Sequence, residues 1–170
     1  MKQPNAFDNM KTIQTLVLCF FLTATVTIGG ISDSPWKLAK SAMEWSAQNA
    51  DQVIADSAKI EFIISNKKDS SKLVAISSAT RKKESKNALR EFAIGIRKSF
   101  TKNGVVDLKE STATRWNVKG IRMVFSIPTE DSKVNCDAFF LRQGDRFWAV
   151  MAFGPDQEKL AAAHDALIKK

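Results

Sequence analysis

Two apolar stretches near the C-terminus, joined by a short polar turn, decide the fold. They read Val134-Asn-Cys-Asp-Ala-Phe-Phe-Leu141 and Phe147-Trp-Ala-Val-Met-Ala-Phe153, and Gln143-Gly-Asp145 separates them. The turn residues between them and their short lengths indicate two antiparallel strands. An antiparallel sheet with one face in water would alternate apolar with polar residues, whereas both sets of alternate positions are apolar here. The pair therefore predicts a sheet that is covered on both faces.

Other segments with a period of two extend this sheet. Apolar residues alternate over 106–116 and again over 121–127, which makes a meander of four antiparallel strands with the deciding pair. Two further strands are predicted over 59–65 and 72–77, joined by a polar turn. We therefore expect about six strands in one mainly antiparallel sheet.

Three segments are predicted to be helices that cover the sheet. The clearest runs over 84–102, because Leu89, Phe92, Ala93, Ile96 and Phe100 share one face and Asn103-Gly104 ends the pattern. A second is predicted over 35–55 from apolar spacing after Ser34-Pro35, and a third over 156–168. The predicted fold class is α+β, an α/β/α sandwich around a mainly antiparallel sheet.

The N-terminal segment predicts export. No residue from Thr12 to Ser32 is charged, basic residues precede this run, and small residues end it. These features are typical of a cleaved signal peptide, and the length also permits an uncleaved membrane anchor. We therefore divide the chain into a signal peptide or anchor (1–32), an N-terminal helix (33–58) and a main domain (59–170). The predicted location is periplasmic or secreted, with inner-membrane anchoring as the alternative.

The composition argues against an enzyme. The chain has 170 residues with one His and two Cys, and a single His excludes a two-His metal site. Cys136 lies in an apolar strand and is predicted to be a buried structural thiol, while His164 is expected at the edge of the core. We expect no catalytic residue, no metal site and no cofactor.

The order of elements resembles the PsbP-like α/β/α sandwich superfamily, which includes small bacterial envelope proteins. The resemblance rests on Trp116-Asn-Val-Lys-Gly-Ile-Arg-Met-Val-Phe125, Cys136-Asp-Ala-Phe-Phe-Leu141 and Gly144-Asp-Arg-Phe-Trp-Ala-Val-Met-Ala152, and it covers residues 59–168. These are patterns of packing. The resemblance therefore implies a non-enzymatic adaptor and transfers no catalytic or metal-binding residue.

Basic residues are concentrated in one part of the chain. The segment 66–103 holds eleven Lys and Arg against three Asp and Glu, a surplus equal to the net charge of the whole chain, +8. On the predicted helix, Lys86, Arg90 and Arg97 fall on one side, beside the apolar stripe. Such a side can contact an acidic protein or anionic lipid, or it can simply be a solvated helix face. Nucleic acid is not expected, because the chain is predicted to be exported and aromatic residues do not alternate with these cations.

Trp45 is a second candidate for partner binding. With Leu38 and Ala42 it forms a stripe that is either an exposed partner surface or a face packed on the sheet. The sequence thus predicts an exported envelope protein that binds an unknown protein or anionic envelope component and is not a catalyst. The alternative is a membrane-anchored domain whose basic face contacts anionic lipid or an acidic partner.

Overall fold

The computed structural model describes residues 36–55, 58–69, 72–80, 85, 87–130 and 132–169. The predicted signal peptide or anchor, residues 1–32, lies outside these residues. The described residues form one large sheet, a small strand pair and two α-helices.

The large sheet has seven strands, and every neighbouring pair is antiparallel. In chain order the strands are β2 (Trp45–Ala55), β3 (Ala58–Asn66), β4 (Leu73–Thr80), β5 (Val106–Arg115), β6 (Val118–Pro128), β7 (Lys133–Gln143) and β8 (Arg146–Gly154). Their order across the sheet is β2-β3-β4-β8-β7-β6-β5. The predicted four-stranded meander is therefore confirmed as β5 to β8, and β4 continues the sheet beyond β8.

Each face of the sheet carries its own hydrophobic core. Helix α1 (Ala88–Lys102) packs on one face, where Ala93 and Phe100 meet Met123, Phe125 and Phe140. The other face is covered by helix α2 (Gln157–Ala163), a 3₁₀ turn (His164–Ala166) and a small ribbon in which β1 (Trp36–Leu38) pairs with β9 (Leu167–Lys169). The predicted α/β/α sandwich is confirmed, since strands that are apolar on both faces are buried on both.

The predicted N-terminal helix is wrong. Within 33–58 the structure has β1, a turn and β2, and β2 pairs with β3 instead of forming a separate helix. The helical spacing was misleading because its members have different environments. Trp36 is buried in the core beneath α2, whereas Met43 lies in the turn with 83% of its surface exposed. Pairing with β3 and β9 satisfies the backbone of this segment without a helix.

The predicted C-terminal helix is too long. Asp156 caps it by accepting a hydrogen bond from the Glu158 main-chain N–H, but the α-helix ends at Ala163. The chain then forms the 3₁₀ turn and continues in extended form as β9, whose main chain hydrogen-bonds to β1. A continuous helix would not offer Leu167 to a strand partner, so the ribbon with β1 takes the place of the last helical turns.

Candidate functional site

The predicted basic side of the long helix is a feature of α1. Arg90 and Arg97 are both exposed, and the Arg97 guanidinium lies 3.7 Å from the Glu110 carboxylate on β5. Lys86 lies outside the described residues, so its relation to these two arginines stays a prediction. The structure thus places two of the three predicted cations in water, on the helix that forms one outer layer.

The outer surface of α1 extends this basic side. An open depression there is lined by Ile94, Arg97, Lys98, Thr101 and Lys102. Ile94 is an apolar side chain 42% exposed, and it lies among cations rather than in the core. Over its whole length α1 has four Lys and Arg against one Glu. The surface therefore combines positive charge with a small apolar contact.

Trp45 does not form an exposed partner surface. It lies on β2 with 8% of its surface exposed and packs in the core that includes Phe62, Ile64 and Trp36. The packing alternative is correct for this residue. A bulky indole at the start of an edge strand is placed on the covered face, where burying it removes a large apolar area from water.

A buried charged cluster on the opposite face was not predicted. Asp137 on β7 is completely buried and accepts two close hydrogen bonds from Arg122 on β6, at 3.0 Å from Nε and 2.8 Å from Nη2. Arg115, at the end of β5, places Nη2 3.7 Å from the same carboxylate and donates from Nη1 to the Ala161 carbonyl oxygen. The buried Asp137 carboxylate on β7 is therefore bonded to β6 through Arg122. Arg115 lies close to the same carboxylate and connects it to α2.

His164 completes this cluster. Its Nε2 lies 2.9 Å from the Asp137 main-chain oxygen, so that nitrogen carries the hydrogen, and the buried Nδ1 has no hydrogen-bond partner among the described residues. Burial lowers the pKa of His164 to about 4, and the nearby positive charge of Arg115 acts in the same direction. His164 is therefore neutral at pH 7, and its 3.8 Å separation from the Asp137 carboxylate is not an ion pair there.

This cluster had a signal in the sequence. Asp137 stands in a strand whose neighbours are apolar on both faces, which implies a buried carboxylate that needs a cation. Arg122 stands in the adjacent strand of the meander in the same kind of setting.

The chemistry of these groups is that of a structural network. The Cys136 thiol is fully buried, and burial followed by the charge of Asp137 raises its pKa well above the usual range, which keeps it protonated. Its predicted structural role agrees with this position. Within the described ranges, no three His, Cys, Asp or Glu side chains group in a way that would hold a metal ion.

A helical membrane span needs sufficient length and hydropathy. Neither α1 nor α2 is long and apolar enough to cross a bilayer. The predicted anchor would have to come from residues 1–32, which the structure does not describe.

These features define a class of protein: a small α/β/α sandwich with a basic outer helix on one layer and a buried ionic cluster beneath the other. No family model and no curated protein sequence matches the chain. Solved structures do match it. A protein of Bacteroides thetaiotaomicron VPI-5482 has a TM-score of 0.48 at 12% identity, covering 80% of this chain and 48% of that chain, so the match spans about half of its length.

Two other solved structures match over most of both chains. The cyanobacterial PsbP of Synechocystis sp. PCC 6803 has a TM-score of 0.47 at 4% identity, covering 88% of this chain and 99% of its own. LpqN of Mycobacterium tuberculosis, described as involved in cell envelope biogenesis, has a TM-score of 0.40 at 12% identity, covering 80% and 88%. The PsbP-like resemblance drawn from the sequence thus has a counterpart among these structures. Similarities at this level assign neither a family nor a function to the chain.

Proposed function

We propose that this protein is an exported envelope accessory module that binds an anionic macromolecular partner through the outer face of α1 and catalyses no reaction. The observation that carries the proposal is the exposed Ile94 among Arg97, Lys98 and Lys102. Solvated helix faces that serve only solubility need no apolar residue at their centre, whereas interfaces combine a small apolar contact with charges at its rim.

The charge of this face suits binding rather than catalysis. Long exposed cations raise the rate of encounter with an anionic surface and make binding sensitive to salt. The side chains of Cys136, Asp137 and His164 are all closed to solvent and supply no reactive group at a surface. Their burial supports a non-catalytic role.

Charge reversal tests this proposal. We would replace Arg90, Arg97 and Lys98 by Glu in one variant, and Lys37, Lys40 and Lys159 by Glu in a matched control. The control residues are exposed and lie with β1 and α2, on the other side of the sheet. Crosslinking and capture from envelope extracts would compare both variants with the unchanged protein at low and high salt.

The expected result is loss of captured partner for the α1 variant alone, with a stronger effect at low salt. Equal capture by all three proteins would overturn the proposal. Binding to vesicles of phosphatidylglycerol in phosphatidylcholine forms a parallel arm. If vesicles bind the unchanged protein but not the α1 variant, and no protein partner is captured, the basic face contacts anionic lipid instead of a protein.

A separate experiment tests whether the N-terminal segment is cleaved or retained. Intact mass and N-terminal sequencing of the protein recovered from cells distinguish a cleaved signal from a retained anchor. A mature N-terminus near Asp33 would show a cleaved signal and exclude the anchor, while a full-length chain in the membrane fraction would show the anchor.

A further inference from the structure

Strand β5 forms one edge of the large sheet. Within the described part of the chain it pairs with β6 and with no other strand. The outward N–H and C=O groups of such an edge can form a ladder with another extended chain. Seven of its ten residues are exposed and the other three are half-buried, and the run Ser111-Thr-Ala-Thr114 is uncharged and contains no Pro.

The opposite edge, β2, is built differently. Its register with β3 shifts between Asn49 and Gln52 and again between Val53 and Ala55. Bulges of this kind twist an edge and interrupt the regular row of main-chain groups that a new strand would need. In β5 the register with β6 shifts once, between Val106 and Lys109, and is then unbroken over the seven residues from Lys109 to Arg115. Of the two edges, β5 is the one suited to accept a strand.

Cations stand beside β5 on both faces of the sheet. Glu110 is on the face covered by α1, where it contacts Arg97. Lys109 is opposite Val124, which is opposite Asp137, so its side chain belongs to the face covered by α2. A strand added next to β5 would therefore have Arg97 near one set of its side chains and Lys109 near the other set.

The existing carboxylates of β5 do not cancel this field. Glu110 and Arg97 form a pair 3.7 Å apart in which 57% of the arginine side chain is exposed, and Asp107 is 3.8 Å from Lys133. Exposed pairs of this kind are weak, so Arg97 can exchange Glu110 for an incoming carboxylate. The surplus of cations on α1 remains.

We propose that β5 accepts an extended acidic segment of a partner protein as an additional strand, with main-chain hydrogen bonds along 109–115 and carboxylates near Arg97 and Lys109. The inference rests on the proposed function and specifies its partner as a protein that offers a free, extended, acidic stretch. Anionic lipid would use the outer face of α1 and leave the edge of β5 unpaired.

The probe is a short peptide in which Glu alternates with Val or Thr, with a counterpart that has Lys in place of Glu. Titration calorimetry measures affinity, and amide hydrogen exchange shows which β5 amides become protected. We expect binding of the acidic peptide, no binding of the basic one, and new protection within 109–115. Arg97→Glu should weaken binding by about tenfold or more at low salt.

Two adjacent proline variants test the main-chain ladder. Successive N–H groups along a strand point to opposite sides, so of Thr112→Pro and Ala113→Pro one removes a bond to β6 and the other removes an outward donor. We expect the outward variant to keep the melting temperature and lose peptide binding. Peptides N-methylated at alternate positions repeat the test on the unchanged protein if both proline variants unfold.

The outcomes separate the two proposals. Binding that survives the outward proline and N-methylation but fails with Arg97→Glu would overturn strand addition and leave the basic face of α1 as the binding surface. Peptide binding that survives both the main-chain changes and Arg97→Glu would overturn both proposals. Slow exchange of the outward β5 amides in protein without peptide would also overturn the inference, because the edge is then already occupied. Sedimentation would show whether the occupant is a second copy.

Discussion

The indole Nε1 of Trp116 donates a hydrogen bond of 2.9 Å to the main-chain oxygen of Leu167. Trp116 is the first residue of the tight turn between β5 and β6, and both it and Asn117 have positive φ, 50° and 60°. A two-residue hairpin turn of type I′ requires positive φ at both central residues, but a large side chain adopts it at a cost of about 1–2 kcal/mol. The ring contacts to Trp36 and Phe139 help to offset that cost. Through these contacts Trp116 connects the β1–β9 ribbon to the end of the sheet where β5 turns into β6.

Replacing Trp116 by Phe tests this connection. We expect a loss of about 1–2 kcal/mol in the free energy of unfolding, because the Leu167 oxygen loses its donor. In the variant the amides of β9 should exchange faster than in the unchanged protein, and this increase should be larger than any in β7. Asn117→Gly, in the same turn, is the control and should not destabilise the protein. Unchanged β9 exchange in Trp116→Phe would contradict the role of the hydrogen bond.

The ionic cluster predicts a large effect of a small change at Asp137. Asp137→Asn leaves Arg115 and Arg122 without their shared carboxylate, and we expect a loss of about 2–4 kcal/mol in unfolding free energy. This is below the range for fully buried pairs because 35% of the Arg122 side chain is exposed. Asp145→Asn, in the exposed turn before β8, should change stability little. Equal effects in urea unfolding would contradict the structural importance of the cluster.

The buried His164 predicts a pH dependence of stability. Its pKa is about 4 in the folded protein against 6.5 for an ordinary histidine, so the unfolded chain binds more protons between these values. The contribution of neutral His164 is complete above pH 6.5 and is lost as pH falls to about 4, for a total of about 3 kcal/mol. The charged groups around it are Asp137, Arg115 and Arg122.

His164→Gln is the variant for this measurement. Its amide N–H can replace Nε2 toward the Asp137 oxygen, but it does not titrate. Unfolding free energy measured from pH 7 to pH 4 should fall less steeply in the variant than in the unchanged protein. Parallel curves would show that His164 is not the source of the slope.

Alanine substitutions at two glycines should change the stability of the protein in opposite directions. A Cβ added at Gly120 would collide with the Phe140 carbonyl oxygen and the Phe139 ring, whereas one added at Gly95 on α1 would meet nothing within 4 Å. Gly120→Ala should cost about 1–3 kcal/mol through overpacking. Gly95→Ala should add about 0.5–1 kcal/mol, because alanine favours a helix. Thermal unfolding of both variants checks the signs, and a stabilising Gly120→Ala would contradict the close packing of β6 on β7.

The sheet and α1 were predictable because their apolar periods are long and agree with their turns. Strands β5 and β6 show a period of two, β7 and β8 are apolar runs bounded by turn residues, and α1 repeats its apolar face over four turns. The segment 35–55 was not predictable in this way, because Trp36 and Trp45 lie on strands with two different partners. Strand β1 pairs with β9 at the other end of the chain, and β2 pairs with the neighbouring strand β3. Tertiary pairing decided its structure against a local helical spacing.

The candidate site was predictable only in part. Arg90 and Arg97 follow from helix geometry alone, so their exposure on one side could be read from their spacing. The cluster at Asp137 depends on strand register, since Arg122 reaches it from β6 and His164 from beyond α2. The free edge of β5 depends on strand order, which alternation along a single strand does not contain.

The pairing of Trp36 with Lys169 places the start of the described chain on the layer of α2. A polypeptide joined before β1 reaches the domain on the layer of α2, while the cations of α1 lie beyond the sheet, about 20 Å away if each layer adds about 10 Å. The basic side of α1 and the β1–β9 ribbon therefore occupy opposite layers of the sandwich, so a partner bound to one layer leaves the other uncovered.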